Sequence, residues 1–129
     1  MRRQFLLPEE DTEQLDSLGV EWETLREPNG QWLLLHGFLF PSGYNPATGS
    51  VAVQIPGNYP VAGLDMAYFF PHLSRVDGQP LRQTDARVRV DGKDWQRWSR
   101  HYSWVPGQHN IGTHVVLVRR WLDHGVGKG

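Results

Sequence analysis

Ser99-Arg100-His101 is the run best equipped for chemistry in this chain of 129 residues. It sets a hydroxyl, a cation and an imidazole in one short segment. A serine attacks a carbonyl only when an adjacent base takes its proton, and histidine is the usual base. Arg100 or a loop N–H would steady the oxyanion that forms. Residues two apart in an extended segment point to opposite sides, so Ser99 and His101 converge only if the loop turns there. Asp85, Asp91 and Asp94 are candidates to orient the imidazole.

Six histidines raise the question of a metal. His101 lies eight residues before His109, and His109 five before His114. No His-Glu-x-x-His run occurs and no thiol is present, so no metal site is expected. A metal-dependent hydrolase on His101, His109 and His114 is the weakest of the functional readings. His114 reads as a first-turn helical residue with a hydrogen-bond partner, and His36, in an apolar run, as a satisfied core histidine. Asp65, in Gly-Leu-Asp-Met, reads as an anchor for the adjacent loop. No cofactor is expected.

The cysteine count is zero, which removes disulfides, thiolate metal sites and a cysteine nucleophile. The net charge of −1 argues against a protein that tracks nucleic-acid phosphates. Arg82, Arg87, Arg89, Lys93, Arg97 and Arg100 make one region locally basic, but Asp77, Asp85, Asp91 and Asp94 interleave with them. An acidic patch on a partner is the more economical target. No apolar run approaches a membrane span, and MRRQFLLPEEDTEQ lacks the apolar stretch of a signal peptide. The expectation is a cytoplasmic protein of one domain, residues 1–129, with a core at about 7–124.

The elements that must position these groups follow from the pattern. LPEEDTEQLDSLG reads as a short helix, with Pro8 and three acids in its first turn and Gly19 as its stop. VEWETLRE, QWLLLHGFLF, SVAVQIP and LDMAYFF read as four strands. QWLLLHGFLF is apolar at nearly every position and is expected to be buried on both faces. Pro71 to Asn110 carries little periodicity, apart from a short strand at 86–90, and reads as a long functional connection. A closing helix is expected from Gly112 to His124, capped by Asn110 or Thr113, with Gly125 as its stop. The fold class is α+β: helix, four-stranded antiparallel meander, long loop, helix.

Several segments together carry a family resemblance. Ile55-Pro56-Gly57-Asn58-Tyr59-Pro60 precedes LDMAYFFP, Gly43-Tyr44-Asn45 and Gly49 precede it, and Trp104-Val105-Pro106 stands before the last helix. In this order they resemble the ubiquitin-conjugating fold, with its tyrosine–proline pair, its glycine hairpin and its Trp-x-Pro segment. GKDWQRWSRHYSWVPG narrows the resemblance to the prokaryotic ubiquitin-conjugating-like proteins of family E. It covers about Leu7 to Leu122. The chain closes on its first long helix, so the two further C-terminal helices common in eukaryotic members are not expected.

The resemblance implies an acyl carrier that takes the C-terminal carbonyl of a ubiquitin-like modifier and passes it to an amine. It implies an activating enzyme and the modifier as partners, and a JAB-type peptidase in the same pathway. In the family pattern the cysteine lies about eight residues before the tryptophan, which falls here on Gln96. An amide cannot attack a carbonyl. The His-Pro-Asn segment of the pattern is also absent. Two readings stay open. Ser99, with His101 and Arg100, carries the acyl group as an oxyester. Alternatively the chain is a non-catalytic scaffold that binds modifier or activating enzyme. Trp98, Tyr59 and Pro60 are candidate partner contacts, while Trp95 and Trp104 read as packing.

Overall fold

The central strand shows how the molecule is built. In a computed structural model that describes residues 1–128, β2 (Gly30–Leu39) pairs with β1 (Glu21–Glu27) on one side and β4 (Thr48–Ile55) on the other. A strand flanked on both edges and covered on both faces leaves no solvent side, hence the unbroken run Trp32-Leu33-Leu34-Leu35. β5 (Ala67–Phe70) continues the antiparallel meander. Helix α1 (Glu9–Ser17) precedes the sheet and α2 (Ile111–Gly125) follows it. Two short strands, β3 (Tyr44–Asn45) and β6 (Ser74–Arg75), pair with each other outside the main sheet.

The region from Pro71 to Asn110 is not one irregular connection. It contains a hairpin, β7 (Arg87–Val90) and β8 (Lys93–Trp98), whose second strand joins the edge of β5. The sheet therefore has six strands in the order β1-β2-β4-β5-β8-β7, two more than the meander expected from the sequence. The turn is Asp91-Gly92, both at positive φ (52° and 73°). That is the signature of a two-residue hairpin, which the aspartate and glycine allow.

Alternation along the strands divides the core. One face places Leu33, Leu35, Val51, Val53, Phe69 and Trp98 under the helices, where Leu15, Ile111, Val115, Val118 and Leu122 meet them. The other face holds Leu25, Trp32, Leu34, Tyr68, Val90 and Trp95. Among the described residues no helix covers that second face; the sheet curls and its two ends meet over it. Asn29 Nδ2 donates to the Arg89 carbonyl at 3.0 Å, and the Asp91 N–H donates to Glu27 at 2.7 Å. Arg2 joins Glu23 and Asp91 at 2.9 and 2.7 Å. This holds the Glu23 carboxyl near pKa 2, well below its ordinary value.

Helix α2 follows the loop that holds Ser99 and His101. Asn110 and Thr113 form a reciprocal capping box: Asn110 accepts the Thr113 N–H, and Thr113 accepts the Asn110 N–H. Both expected caps act together. At its other end the helix runs through Gly125, one residue past the expected end, and the left-handed residue is Gly127 (φ 74°). Neither helix is long and apolar enough to cross a membrane.

Candidate functional site

Residues 99–110, between β8 and α2, are irregular but tied down along their length. The Ser99 N–H donates to the Gln83 carbonyl at 3.1 Å, and the Met66 N–H donates to the Arg100 carbonyl at 3.0 Å. Trp104 Nε1 donates to the Pro60 carbonyl at 2.9 Å, and the Val105 N–H donates to His109 Nδ1 at 2.9 Å. These bonds fold the loop against segment 56–66. Gly63 permits the closest approach, because a methyl group there would overlap Cβ and Cγ of Trp104.

The tethering turns the chain so that Ser99 and His101 face one another. Ser99 Oγ lies 3.5 Å from His101 Nε2, and His101 Nδ1 lies 2.7 Å from Asp65 Oδ2. The carboxylate can only accept, so it assigns the proton to Nδ1 and leaves Nε2 free to take one from Ser99. The order of contacts is serine, imidazole, carboxylate, the order in which a hydrolase triad sets these groups. The first contact is at the outer limit of a hydrogen bond, as is common in unliganded sites. The His101 side chain is 64% exposed and that of Asp65 42%. An ion pair this open adds little stability, so its effect lies in orientation. The second Asp65 oxygen is buried without a partner.

None of the three expected orienting carboxylates reaches His101. Asp91 pairs with Arg2, Asp94 with Arg89, and Asp85 lies in an exposed loop. Asp65 acts instead, 36 residues away in sequence. A separation that long has no local signature. The sequence reads Asp65 as an anchor for the adjacent loop or a partner contact; its one side-chain hydrogen bond among the described residues goes to His101.

Arg100 departs from its expected role. Its Nη1 donates to the Arg82 and Ser99 carbonyls at 3.0 and 3.1 Å, and its guanidinium lies 5.0 Å from the ring centre of Trp98. The group lines a separate cleft of about 430 Å³, which neither Ser99 nor His101 lines. The guanidinium is directed into that cleft, not toward the Ser99 hydroxyl.

Trp98 is also corrected. It is 0% exposed, packed edge-on to Phe69 at 5.0 Å, with Nε1 donating to Gln96. Burying an indole of about 200 Å² contributes on the order of 5 kcal/mol. It is a core residue with no surface for a partner. Tyr59 is half-buried and joins the two helices: its hydroxyl donates to Asp11 at 2.9 Å and accepts the first N–H of α2 at 3.0 Å. Burial and the Asp11 carboxylate push the phenol pKa up. Pro60 remains exposed.

Gln96 occupies the position that family spacing assigns to the nucleophile. It lies inside β8, 4% exposed, with its amide paired to both backbone groups of Leu73 at 2.9 and 3.1 Å. Its amide is not open to a substrate carbonyl.

Two other histidines are committed separately. His114 is 0% exposed; Nε2 donates to the Met66 carbonyl at 2.9 Å and Nδ1 accepts the Tyr102 hydroxyl at 2.7 Å. Burial lowers its pKa to about 4, so the ring is neutral at physiological pH. His36 bonds Ser50 and Glu23, each at 2.7 Å. Among the described residues no three metal-ligating side chains converge.

Comparison with known proteins returns one result. The sequence pattern of prokaryotic E2 family E matches residues 7–125. No curated protein and no solved structure matches. The match runs from the segment before α1 to the last residue of α2 and takes in every helix and strand of the described residues: the chain belongs to prokaryotic E2 family E.

Proposed function

We propose that this chain acts in a prokaryotic ubiquitin-like conjugation pathway as an acyl carrier that uses Ser99. Its partners are a ubiquitin-like modifier and an activating enzyme, with a JAB-type peptidase in the same pathway. The reading rests on the contact chain Ser99–His101–Asp65 in a chain with no cysteine. The modifier arrives as a thioester on its activating enzyme. Ser99 Oγ bonds to the carbonyl carbon while its proton passes to His101 Nε2. The C–S bond then breaks, and the departing thiolate takes that proton. An ester on Ser99 and a free thiol result, with no change of oxidation state. Asp65 holds the imidazole in the accepting tautomer throughout.

A scaffold without acyl transfer is the second reading. The orientation of Arg100 favours it, since its guanidinium bonds backbone carbonyls and lines a cleft that does not include Ser99. The assay combines the chain with activating enzyme, modifier and ATP. The carrier reading expects an adduct that resists thiols, yields to hydroxylamine and is absent from Ser99→Ala. Ser99→Cys should form a thiol-sensitive adduct instead. No adduct from either the native chain or Ser99→Cys, while the modifier or enzyme still binds, overturns the carrier and leaves the scaffold.

A further inference from the structure

The cleft that takes the Arg100 side chain has its own chemistry. It opens between residues 75–83 and the C-terminal end of α2. Arg75, Arg82, Arg100 and His124 enter its wall, and no carboxylate lines it. Arg75 is accounted for: it pairs with Asp77 at 2.6 Å and donates to the Gly125 carbonyl at the end of α2 at 2.9 Å. Arg82 and Arg100 are not. Arg100 is half-buried, and among the described residues only its Nη1 finds acceptors, both of them neutral carbonyls. The Arg82 guanidinium finds none there. Burial, and more weakly the charge of Arg82, hold the pKa of Arg100 below its ordinary value. A partly desolvated cation beside a like charge is costly without a counter-ion.

The rest of the wall describes the counter-ion. Pro80, Leu81 and Trp121 make it partly apolar. Trp121, His124 and Gly125 belong to the last turns of α2, where the helix dipole places partial negative charge. That end repels a phosphate dianion more than a single carboxylate. Free guanidinium N–H groups suit a carboxylate in a paired, planar geometry. We propose that this cleft binds an acidic peptide segment, a carboxylate on Arg100 and Arg82 and an apolar side chain against Leu81 and Trp121. The volume of about 430 Å³ falls within the range of ligand sites. The carbonyls of Arg82 and Gln83 hold Arg100 and Ser99, so the occupant would lie one residue from Ser99. The binding site does not depend on Ser99 carrying an acyl group.

The test titrates the full chain with a blocked peptide of alternating aspartate and leucine, followed by NMR shifts of the backbone amides and of the Trp121 indole N–H. The asparagine counterpart, inorganic phosphate and pyrophosphate are titrated in parallel. The acidic peptide should shift residues of the cleft and weaken steeply with salt. Its affinity should fall at least tenfold in Arg82→Glu and in Arg100→Gln. Arg82 is exposed, so its variant folds and decides the matter even if Arg100→Gln does not. Equal binding of the asparagine peptide, no binding at millimolar concentration, or binding indifferent to Arg82→Glu each overturns the proposal. Cleft shifts with phosphate or pyrophosphate and none with the peptide overturn it too.

Discussion

Acid should unfold this protein in part through His114. Its ring is fully enclosed and donates to the carbonyl of Met66, the residue after Asp65. Burial lowers the folded-state pKa from an ordinary 6.5 to about 4. Between those values the unfolded chain binds a proton that the folded chain refuses. Stability from this group is therefore complete above pH 6.5 and is lost as pH falls toward 4. A shift of about 2.5 units corresponds to about 3 kcal/mol, of which roughly 2.5 kcal/mol is gone by pH 4.5. The Tyr102 hydroxyl can turn to accept from the charged ring, so the loss is mainly desolvation. Urea unfolding at pH 7 and pH 4.5 measures it, with His114→Gln as the reference. Glutamine keeps a donor for Met66 and an acceptor for Tyr102 but does not titrate. Burial raises the Asp11 pKa, which acts in the opposite direction but equally in both proteins. Glu23, near pKa 2, contributes mostly below this window. The native chain should lose roughly 2.5 kcal/mol more than the variant. Parallel losses, or an imidazole NMR midpoint for His114 above 6, would refute the reasoning.

Other substitutions test separate parts of the structure. Gly63→Ala sets a methyl against Trp104, so urea unfolding should show a loss of roughly 1–3 kcal/mol and the indole emission should shift. Asn110→Ala leaves the Thr113 N–H without its cap and should lower stability by about 1 kcal/mol in the same assay. Gln96→Cys places a thiol where family spacing would have one. Because the site is 4% exposed, that thiol should stay unreactive to a thiol reagent until the protein unfolds. Fast labelling in the folded state would contradict the buried placement.

Much of this was legible because it depends on neighbours in sequence. The acidic first turn of α1, the Asn110–Thr113 cap and the both-faces-buried pattern of β2 are local or periodic features. The Asp91-Gly92 hairpin is equally local, but Trp95 and Trp98 in one strand obscure a simple apolar–polar alternation. They lie on opposite faces of a sheet that is buried on both. Trp98 beside Ser99 could not be assigned from its neighbour, since the strand ends between them.

The sequence by itself determined the absence of a thiol, the α+β order of elements and the family pattern that covers residues 7–125. Ser99 and His101 as a pair were also within its reach, two residues apart. Only the tertiary structure decided that they converge, that Asp65 pairs with His101, and that Arg100 turns into a separate cleft. The physical reason is distance along the chain. The Met66–Arg100 backbone bond and the His101–Asp65 pair span more than thirty residues, and no spacing rule encodes which of several aspartates the folded sheet delivers to a loop.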